Sequence, residues 1–294
     1  MSSVPDAVLP AQTVDADLWL IEPRHHGVVE RVRELWHYRY LWWYFASEAL
    51  KAMYRRTKLG WIWLAIRVTA PVSISALIFG GLIGVPSHGP PYFLFFACGM
   101  TTWILFERSL LIVTRSLERH RKLITKIYFP RLILPMSAVA PGLLYSGILL
   151  IVIVISVLYY RRQDGLWYIT LRPELLVSVV AIALTLVFTV SVGLWTSVLQ
   201  ARYPDVRQGI RYFMPFWMYV TPIIYPVTII PDEWRWLMGF NPMASIVELF
   251  KWGTLGYGHL NPVSLATSLV MIVLTMVSGI WFFNREEATS IDKL

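Results

Sequence analysis

The sequence predicts an all-α integral membrane protein with an N-terminal amphipathic interface helix, six transmembrane helices and a re-entrant outer segment between helices 5 and 6. Two observations predict this fold class. The 294 residues are 56% hydrophobic and only 15% charged, whereas a soluble domain carries about 25% charged residues. The apolar residues also fall into several runs of about 20 residues, the length that a helix needs to cross the hydrocarbon core of a bilayer.

Residues 1–27 are predicted to form an N-terminal cytoplasmic segment. The stretch from Met1 to Pro23 is acidic and contains prolines. It lacks the basic region and the following apolar run of a secretory signal peptide, so we expect no cleaved signal peptide.

Residues 28–60 are predicted to form the amphipathic interfacial helix. Trp42, Phe45, Ala49 and Ala52 recur at intervals of three or four residues, and polar or charged side chains cover the opposite side. A basic helix with tryptophans near its apolar face is typical of a helix that lies in the cytoplasmic membrane interface. The alternative is an amphipathic helix that packs only on the protein's own core.

Residues 61–283 are predicted to form a six-helix transmembrane domain. The predicted passes are Trp61–Val85, Tyr92–Val113, Leu132–Tyr159, Leu175–Leu199, Tyr212–Ile230 and Pro262–Phe283. The segment Glu233–Tyr257 is moderately hydrophobic, but several glycines and the pair Asn241-Pro242 interrupt it. We expect this segment to enter the membrane and turn back, buried against protein rather than lipid.

The distribution of lysine and arginine predicts the orientation. With the N-terminus inside, the cytoplasmic segments carry 20 of these residues and the outer segments carry 5, which is a clear positive-inside bias. Both termini are therefore expected in the cytoplasm, with residues 284–294 as a cytoplasmic tail. Topology and anionic lipid account for the net charge of +8, so we expect membrane lipids as partners and no nucleic acid.

The sequence lacks the patterns of a catalytic or metal site. It has no Gly-Lys-Ser/Thr motif for a phosphate-binding loop, and its six histidines show no HExxH spacing. The predicted passes lack the chain of buried acidic groups and histidines expected of an ion-coupled carrier. Cys98 is the single cysteine, which excludes an intrachain disulfide. We therefore expect no enzyme activity, no catalytic residue, no metal and no cofactor on this chain.

Five ordered segments carry a resemblance to a known family. They are Tyr54–Trp63, Leu123–Arg131 with Leu134-Pro135, Arg202–Val206, Thr221–Tyr225, and Phe240–Met243 with Glu248–Lys251. In this order they resemble the membrane subunit, or permease, of type-2 ABC exporters for lipid-linked polysaccharides, the O-antigen, capsule and teichoic acid permease family. Lys251 stands where the family usually has arginine, and Tyr203-Pro204-Asp205 replaces its commoner Arg-Asp pair.

The resemblance, which covers residues 19–283, implies a transport subunit of the bacterial cytoplasmic (inner) membrane. Its cargo would be a polysaccharide linked to a polyprenyl diphosphate. A second copy of the chain would complete a homodimer that encloses a channel. Two copies of a separate ABC ATPase subunit would bind ATP and Mg, and residues 61–283 would be the permease domain.

The basic stretch between the second and third passes is predicted to dock on the ATPase. The residues assigned to this coupling are Glu118, Arg119, Lys122, Lys126, Phe129, Pro130 and Arg131. Proline restricts the residue before it and ends a helix, so Pro130 would fix the return of the chain into the membrane. The alternative is positive-inside charge that contacts lipid headgroups.

Four cations near the first pass are predicted to meet the substrate's diphosphate where it enters: Arg55, Arg56, Lys58 and Arg67. For the first three, the alternative is snorkelling to lipid headgroups. Arg67 lies within the pass, where an arginine costs roughly 2.5–3.5 kcal/mol on insertion scales. Its alternative role is a structural ion pair.

Aromatic side chains in the passes are predicted to line the channel, because sugar rings present apolar C–H faces that stack on aromatic planes. The candidates are Trp103, Phe106, Tyr145, Trp195, Phe213, Trp217 and Tyr219. Core packing is the alternative for each of them.

The predicted outer gate consists of Trp234, Asn241, Pro242, Glu248 and Lys251. Glu248 and Lys251 are one helical turn apart, a spacing that favours an ion pair. Structural anchoring is the alternative role for this segment.

Three other functions remain as alternatives. A type-2 ABC exporter of another cargo, such as a teichoic acid, capsule, lipid or drug, would share the same frame. A membrane glycosyltransferase or lipid phosphatase would need a carboxylate or histidine cluster at the interface, which the sequence lacks. An ATP-independent channel or flippase would not co-purify with an ATPase subunit.

Overall fold

The computed structural model describes residues 28–54, 60–87, 89–124, 126–127, 129–169, 172–258 and 260–289. Within these residues the chain is helical and has no strand. The α-helices there are α1 (Val28–His37), α2 (Arg39–Tyr54), α3 (Gly60–Ala76), α4 (Tyr92–Val113), α5 (Ser116–Arg119), α6 (Arg121–Ile124), α7 (Ile133–Ser137), α8 (Ala140–Asp164), α9 (Leu175–Arg202), α10 (Val206–Val220), α11 (Asp232–Arg235), α12 (Pro242–Leu255) and α13 (Pro262–Thr289). A π-helical segment (Leu77–Leu82) extends α3, and 3₁₀ turns lie at Val227–Ile229 and Trp236–Phe240.

Five helical segments in the described part of the chain are long and apolar enough to cross a membrane. They are Gly60–Leu82, Tyr92–Val113, Ile133–Asp164, Leu175–Arg202 and Pro262–Glu286. They coincide with the first, second, third, fourth and sixth predicted passes. The prediction of an all-α chain with several membrane-length helices is confirmed.

The fifth predicted pass, Tyr212–Ile230, is not one continuous helix. α10 has 15 residues and ends at Val220, after which the chain turns. Thr221 is extended, with φ −87° and ψ 133°, because the ring of Pro222 disfavours a helical conformation for the residue before it. At 1.5 Å per residue, α10 is about 22 Å long, which is shorter than the ~30 Å hydrocarbon core. Helix length therefore does not confirm the six-helix count.

The segment before the last pass is interrupted where the sequence predicts an interruption. Asn241 has an extended backbone (φ −100°, ψ 96°) and precedes Pro242, the first residue of α12. α12 ends at Gly256, whose φ of 72° is in the left-handed region that favours glycine. Most side chains of α12 are buried, and the helix packs on α4, α9 and α13. The re-entrant path of this segment stays a prediction.

α4 is the central helix of the bundle. Most of its side chains are buried, and it packs on α3, α8, α9 and α12. Gly142 of α8 lies against Ser109 and Leu105, so the backbones of α4 and α8 approach closely. α3, in contrast, is buried along a single stripe formed by Leu64, Val68, Val72 and Ala76. Most of the surface of α3 therefore faces away from this chain.

The predicted interfacial helix is divided into α1 and α2 at Tyr38. Phe45 and Ala46 of α2 are buried, and α2 packs on α7 and α8. Trp36 and Trp43 are 72% and 69% exposed. One side of α2 therefore packs on the protein's own core, whereas the alternative interpretation required packing on that core only. The other side presents tryptophans, and its position at the membrane interface stays a prediction.

Candidate functional site: a basic cavity beside the α4–α8 connection

Residues 114–139 connect α4 to α8, and α2 holds this connection in place. The ring of Phe45 packs against the rings of His120 and Phe129, with centroid distances of 5.0 and 5.8 Å. Glu48 Oε1 lies 3.2 Å from Arg119 Nη2, and Glu48 Oε2 lies 3.5 Å from His120 Nε2. The N-terminal helix and the connection thus form one packed unit.

The residues predicted for ATPase coupling lie on two sides of this connection. Glu118, Arg119, Lys122 and Lys126 are exposed, whereas Phe129 is 4% exposed and Pro130 and Arg131 are half-buried. Phe129 packs with Phe45, Ile133 and Leu134, so its contacts in the single chain are structural. The coupling role of the exposed side chains stays a prediction.

A cavity of about 630 Å³ opens beside the connection. We call it the basic cavity. The start of α10, the last two turns of α4, the connection and α8 supply its lining, which includes Arg108, Arg115, Glu118, Arg119, Tyr145, Arg207 and Arg211. Five arginines therefore line one space, and Glu118 is the one acidic residue among the lining residues.

Local contacts hold several of these groups in place. The guanidinium of Arg108 lies 5.5 Å from the centroid of the Tyr145 ring, within the range of a cation–π contact. Arg115 Nε lies 3.6 Å from Glu118 Oε2. Gln200 of α9 donates from Nε2 to Glu118 Oε2 at 3.3 Å, and its Oε1 accepts the backbone N–H of Arg207 at 2.7 Å.

The basic cavity brings several like charges close together. Arg115 and Arg211 lie close enough to Arg207 for their charges to repel its guanidinium, and Glu118 attracts it. Each guanidinium charge in the cavity therefore raises the free energy of the neighbouring guanidinium charges. An anion bound between them would remove this repulsion.

The residues predicted to meet the diphosphate near the first pass lie elsewhere. Arg55, Arg56 and Lys58 fall outside the described residues. Arg67 is exposed on α3, and none of the ion pairs between described residues includes it. The role of Arg67, in diphosphate binding or in a structural ion pair, stays a prediction.

The predicted channel aromatics divide into buried and exposed groups. Trp103 and Phe106 are at most 1% exposed and pack against Trp217, with centroid distances of 6.4 and 5.0 Å. Trp195 stacks on Phe282 at 4.3 Å, and Tyr145 lies in the wall of the basic cavity. Phe213 and Tyr219, in contrast, are 57% and 55% exposed on α10. Of the seven predicted aromatics, these two have exposed side chains in the single chain.

Most residues of the predicted outer gate form hydrogen bonds or an ion pair within the protein. Lys251 Nζ lies 3.3 Å from Glu248 Oε1, so the pairing expected from their spacing is observed. Asn241 Oδ1 accepts the indole N–H of Trp217 at 3.0 Å, and Asn241 Nδ2 donates to Thr221 Oγ1 at 3.0 Å. Pro242, the first residue of α12, is buried and Trp234 is 58% exposed. The gating role of these residues stays a prediction.

No group of three or more His, Cys, Asp or Glu side chains could hold a metal ion in the described part of the chain.

A family model described as ABC-2 type transporter matches residues 40–255, from α2 to the end of α12. The chain belongs to the ABC-2 type transporter family. ABC-2 proteins of this kind are the membrane subunits of transporters, and membership implies an ABC ATPase as a partner.

Several curated ABC-2 permeases are similar to this chain over most of its length. The O-antigen export system permease protein RfbA of Myxococcus xanthus is 26% identical over 266 residues, which cover 88% of this chain and 98% of the relative. A Klebsiella pneumoniae protein of the same name is 27% identical over 81% of this chain and 89% of the relative. The inner membrane transport permease YadH of Escherichia coli K12 is 24% identical over 74% of this chain and 84% of the relative.

Sequence analysis missed most of the basic cavity of this ABC-2 protein. Arg108, Arg207 and Arg211 were counted only as positive-inside charge, and Arg115 only as part of the basic stretch predicted to dock on the ATPase. Their spacing carries a signal, because residues four or seven apart lie on one face of a helix. Arg207 and Arg211 satisfy this spacing within α10; Arg108 and Arg115 are also seven apart, although α4 ends between them at Val113. That the two faces meet is a tertiary contact, which spacing alone does not reveal.

Proposed function

We propose that this chain is the transmembrane subunit of an ATP-driven ABC transporter that exports an O-antigen-type polysaccharide linked to a polyprenyl diphosphate. Export would cross the bacterial cytoplasmic membrane through a channel at a homodimer interface. The observation that carries the proposal is the match, over 98% of its length, to an ABC-2 permease named for O-antigen export. ATP and Mg would be bound by two copies of the partner ATPase.

Six membrane crossings are the arrangement that the helix directions support. The ends of α9 and α13 lie together, because Arg202 Nη1 is 3.9 Å from Glu286 Oε2. α9 also begins beside the end of α12, where Ser178 and Thr254 share a hydrogen bond of 2.9 Å. α9 and α13 are therefore parallel neighbours, and the chain between the end of α9 and the start of α13 must return across the bundle. We assign this return to α10 and the residues up to 230.

The outer segment is proposed to be re-entrant. α12 carries the buried ion pair of Glu248 and Lys251, and α4, α9 and α13 surround it. Charged groups and interrupted backbone are tolerated at membrane depth only where protein or water surrounds them. The positive-inside bias would place this segment at the outer face and both termini in the cytoplasm.

The outward face of α10 supports a channel between two copies of the chain. Tyr212, Phe216 and Tyr219 are spaced four and three residues apart and are 66%, 69% and 55% exposed. A second copy would turn this uncovered aromatic surface into the wall of an enclosed path. Aromatic planes in such a wall would hold sugar rings without a fixed hydrogen-bond register, so the polymer could slide.

Deletion of the gene in the native host tests the proposed function. We expect the surface to lose the polysaccharide and the lipid-linked polymer to accumulate in the cytoplasmic leaflet, because synthesis continues without export. Surface immunolabelling and extraction of the lipid-linked polymer measure the two effects. An ATPase-dead variant of the partner subunit should reproduce both. Normal surface polysaccharide in the deletion strain would show that the cargo is something else.

Arg119→Glu is expected to reduce co-purification of the ATPase subunit several-fold. Arg119 is 44% exposed and pairs with Glu48 at 3.2 Å, and exposed pairs of this kind contribute only about 0–1 kcal/mol to folding. The substitution should therefore leave the chain folded while it reverses a charge on the predicted docking surface. Pull-down of the tagged ATPase measures the effect.

The double variant Arg119→Glu with Glu48→Arg separates two explanations. It restores the ion pair between α2 and the connection but keeps the reversed charge at position 119. If Arg119 contacts the ATPase, the double variant binds the ATPase as weakly as the single variant. Full recovery of ATPase binding would contradict a direct contact and leave Arg119 as a residue that positions the connection.

A further inference from the structure

We propose that the basic cavity binds the diphosphate of the lipid-linked substrate, before the polymer moves along α10. The inference rests on the proposed function and gives it a site. The sequence predicted the diphosphate contact near the first pass, where Arg67 is the one predicted cation among the described residues. We place this contact instead at the junction of α4, the connection and α10.

The charge of the basic cavity fits an anion with more than one phosphate group. Arg108 comes from the last two turns of α4, Arg115 comes from the connection just after it, and Arg207 and Arg211 come from the start of α10. Guanidinium groups bind phosphate oxygens through paired N–H donors. Arginines on two walls of one cavity can hold two adjacent phosphate groups at the same time.

The depth of the basic cavity favours an anion carried by a lipid. Arg108 lies five residues before the end of α4, about 8 Å along the helix axis. An arginine inside a membrane-crossing helix is costly unless it faces an aqueous cavity or a partner, and Arg108 faces the basic cavity. The positive charges thus extend from the level of Arg115, in the connection, into the transmembrane part of the protein.

The surroundings of the basic cavity fit the remainder of the substrate. The exposed aromatic face of α10 begins at Tyr212, directly after Arg211, and continues to Phe216 and Tyr219. A diphosphate held by Arg207 and Arg211 would leave its attached sugars at the start of this face. The cavity volume of about 630 Å³ lies in the range of small-molecule sites, roughly 300–1,000 Å³.

Binding of farnesyl diphosphate to the full chain, purified with its ATPase in phosphatidylcholine nanodiscs, tests the proposal. Arg207→Gln with Arg211→Gln should weaken binding by roughly tenfold or more, because it removes two guanidinium groups that donate charge-assisted hydrogen bonds to phosphate oxygens. Arg202→Gln is the matched control, since Arg202 pairs with Glu286 at the same end of the bundle but does not line the cavity. Its affinity should stay close to that of the unchanged protein.

Two competitors distinguish the source of the anion. Farnesyl monophosphate should bind more weakly than the diphosphate, because it offers a single phosphate group to arginines on two walls. Phosphatidylglycerol, added to the nanodiscs, should not displace the probe. Complete displacement by phosphatidylglycerol would overturn the proposal in favour of a headgroup site, and unchanged binding by the Arg207/Arg211 double variant would also overturn it.

The export assay separates this inference from the proposed function. If the deletion strain keeps its surface polysaccharide, the proposed function fails, whatever the cavity binds. If export requires the chain but the Arg207/Arg211 double variant binds the probe and exports normally, only the diphosphate site fails. Lost export together with lost probe binding, in a double variant that still co-purifies with the ATPase, supports both.

Discussion

Lys251→Met is expected to lower the stability of the protein by roughly 3–5 kcal/mol, the usual effect of breaking a buried ion pair from one side. Lys251 is completely buried. Its Nζ lies 3.3 Å from Glu248 Oε1, donates to the carbonyl oxygen of Pro222 at 2.6 Å, and lies 3.7 Å from the centroid of the Phe95 ring. Methionine fills a similar volume but removes the ammonium group that lies 3.3 Å from the buried Glu248 carboxylate.

The loss should appear as a lower melting temperature of the full chain in detergent, followed by size-exclusion chromatography after heating. Glu248→Leu combined with Lys251→Met removes both charges and should recover a large part of the loss, because no unpaired charge remains. Lys51→Met, at an exposed position on α2, should leave the melting temperature almost unchanged. Equal melting temperatures for Lys251→Met and Lys51→Met would contradict a structural role of the buried pair.

The pair of Glu248 and Lys251 shows what sequence reasoning reaches well. Their contact is local, so a spacing of three residues predicts it. The four long apolar helices α4, α8, α9 and α13 were predicted for the same reason, since the length and composition of one segment suffice. Features that depend on a single element were therefore accessible from the sequence.

The fifth predicted pass shows that the continuity of a helix is harder to predict. Its hydropathy suits a membrane helix, and membrane helices tolerate proline, so the sequence predicted one pass up to Ile230. The structure ends α10 at Val220, because Pro222 fixes Thr221 in an extended conformation. Whether neighbours compensate for a proline depends on tertiary contacts, which a single sequence does not contain.

The candidate site was predicted less well than the fold for a related reason. Charge counts identified which segments are basic, but every arginine contributed equally to the positive-inside bias. The structure brings Arg108 and Arg211 to one cavity although they lie on different helices. It also buries Trp103 and Phe106, while it exposes Tyr212 and Phe216, which the sequence analysis did not select. Composition gave no means to separate these two groups of aromatics.

Gly142→Leu is expected to disrupt the contact between α4 and α8. A Cβ atom at Gly142 would overlap Ser109 Oγ and lie 2.9 Å from the carbonyl oxygen of Leu105. Ser109 Oγ donates to the carbonyl oxygen of Val139 at 3.2 Å, so its displacement would also break a hydrogen bond. Overpacking typically costs about 1–3 kcal/mol and occasionally more. The carbonyl oxygen of Leu105 belongs to the backbone, so no side-chain rotamer change can relieve its contact with the new Cβ atom. We therefore expect the upper end of this range.

Gly147→Leu is the matched control for the same helix. A Cβ atom at Gly147 meets no atom within 4 Å in the single chain, and both substitutions bring the same gain in helix propensity, about 1 kcal/mol or less. The difference in melting temperature between the two variants therefore measures packing alone. A large loss for Gly142→Leu with little change for Gly147→Leu would establish that the close approach of α4 and α8 is required. Since α4 and α8 both line the basic cavity, the same variant should weaken farnesyl diphosphate binding, and equal behaviour of the two variants would contradict the close approach.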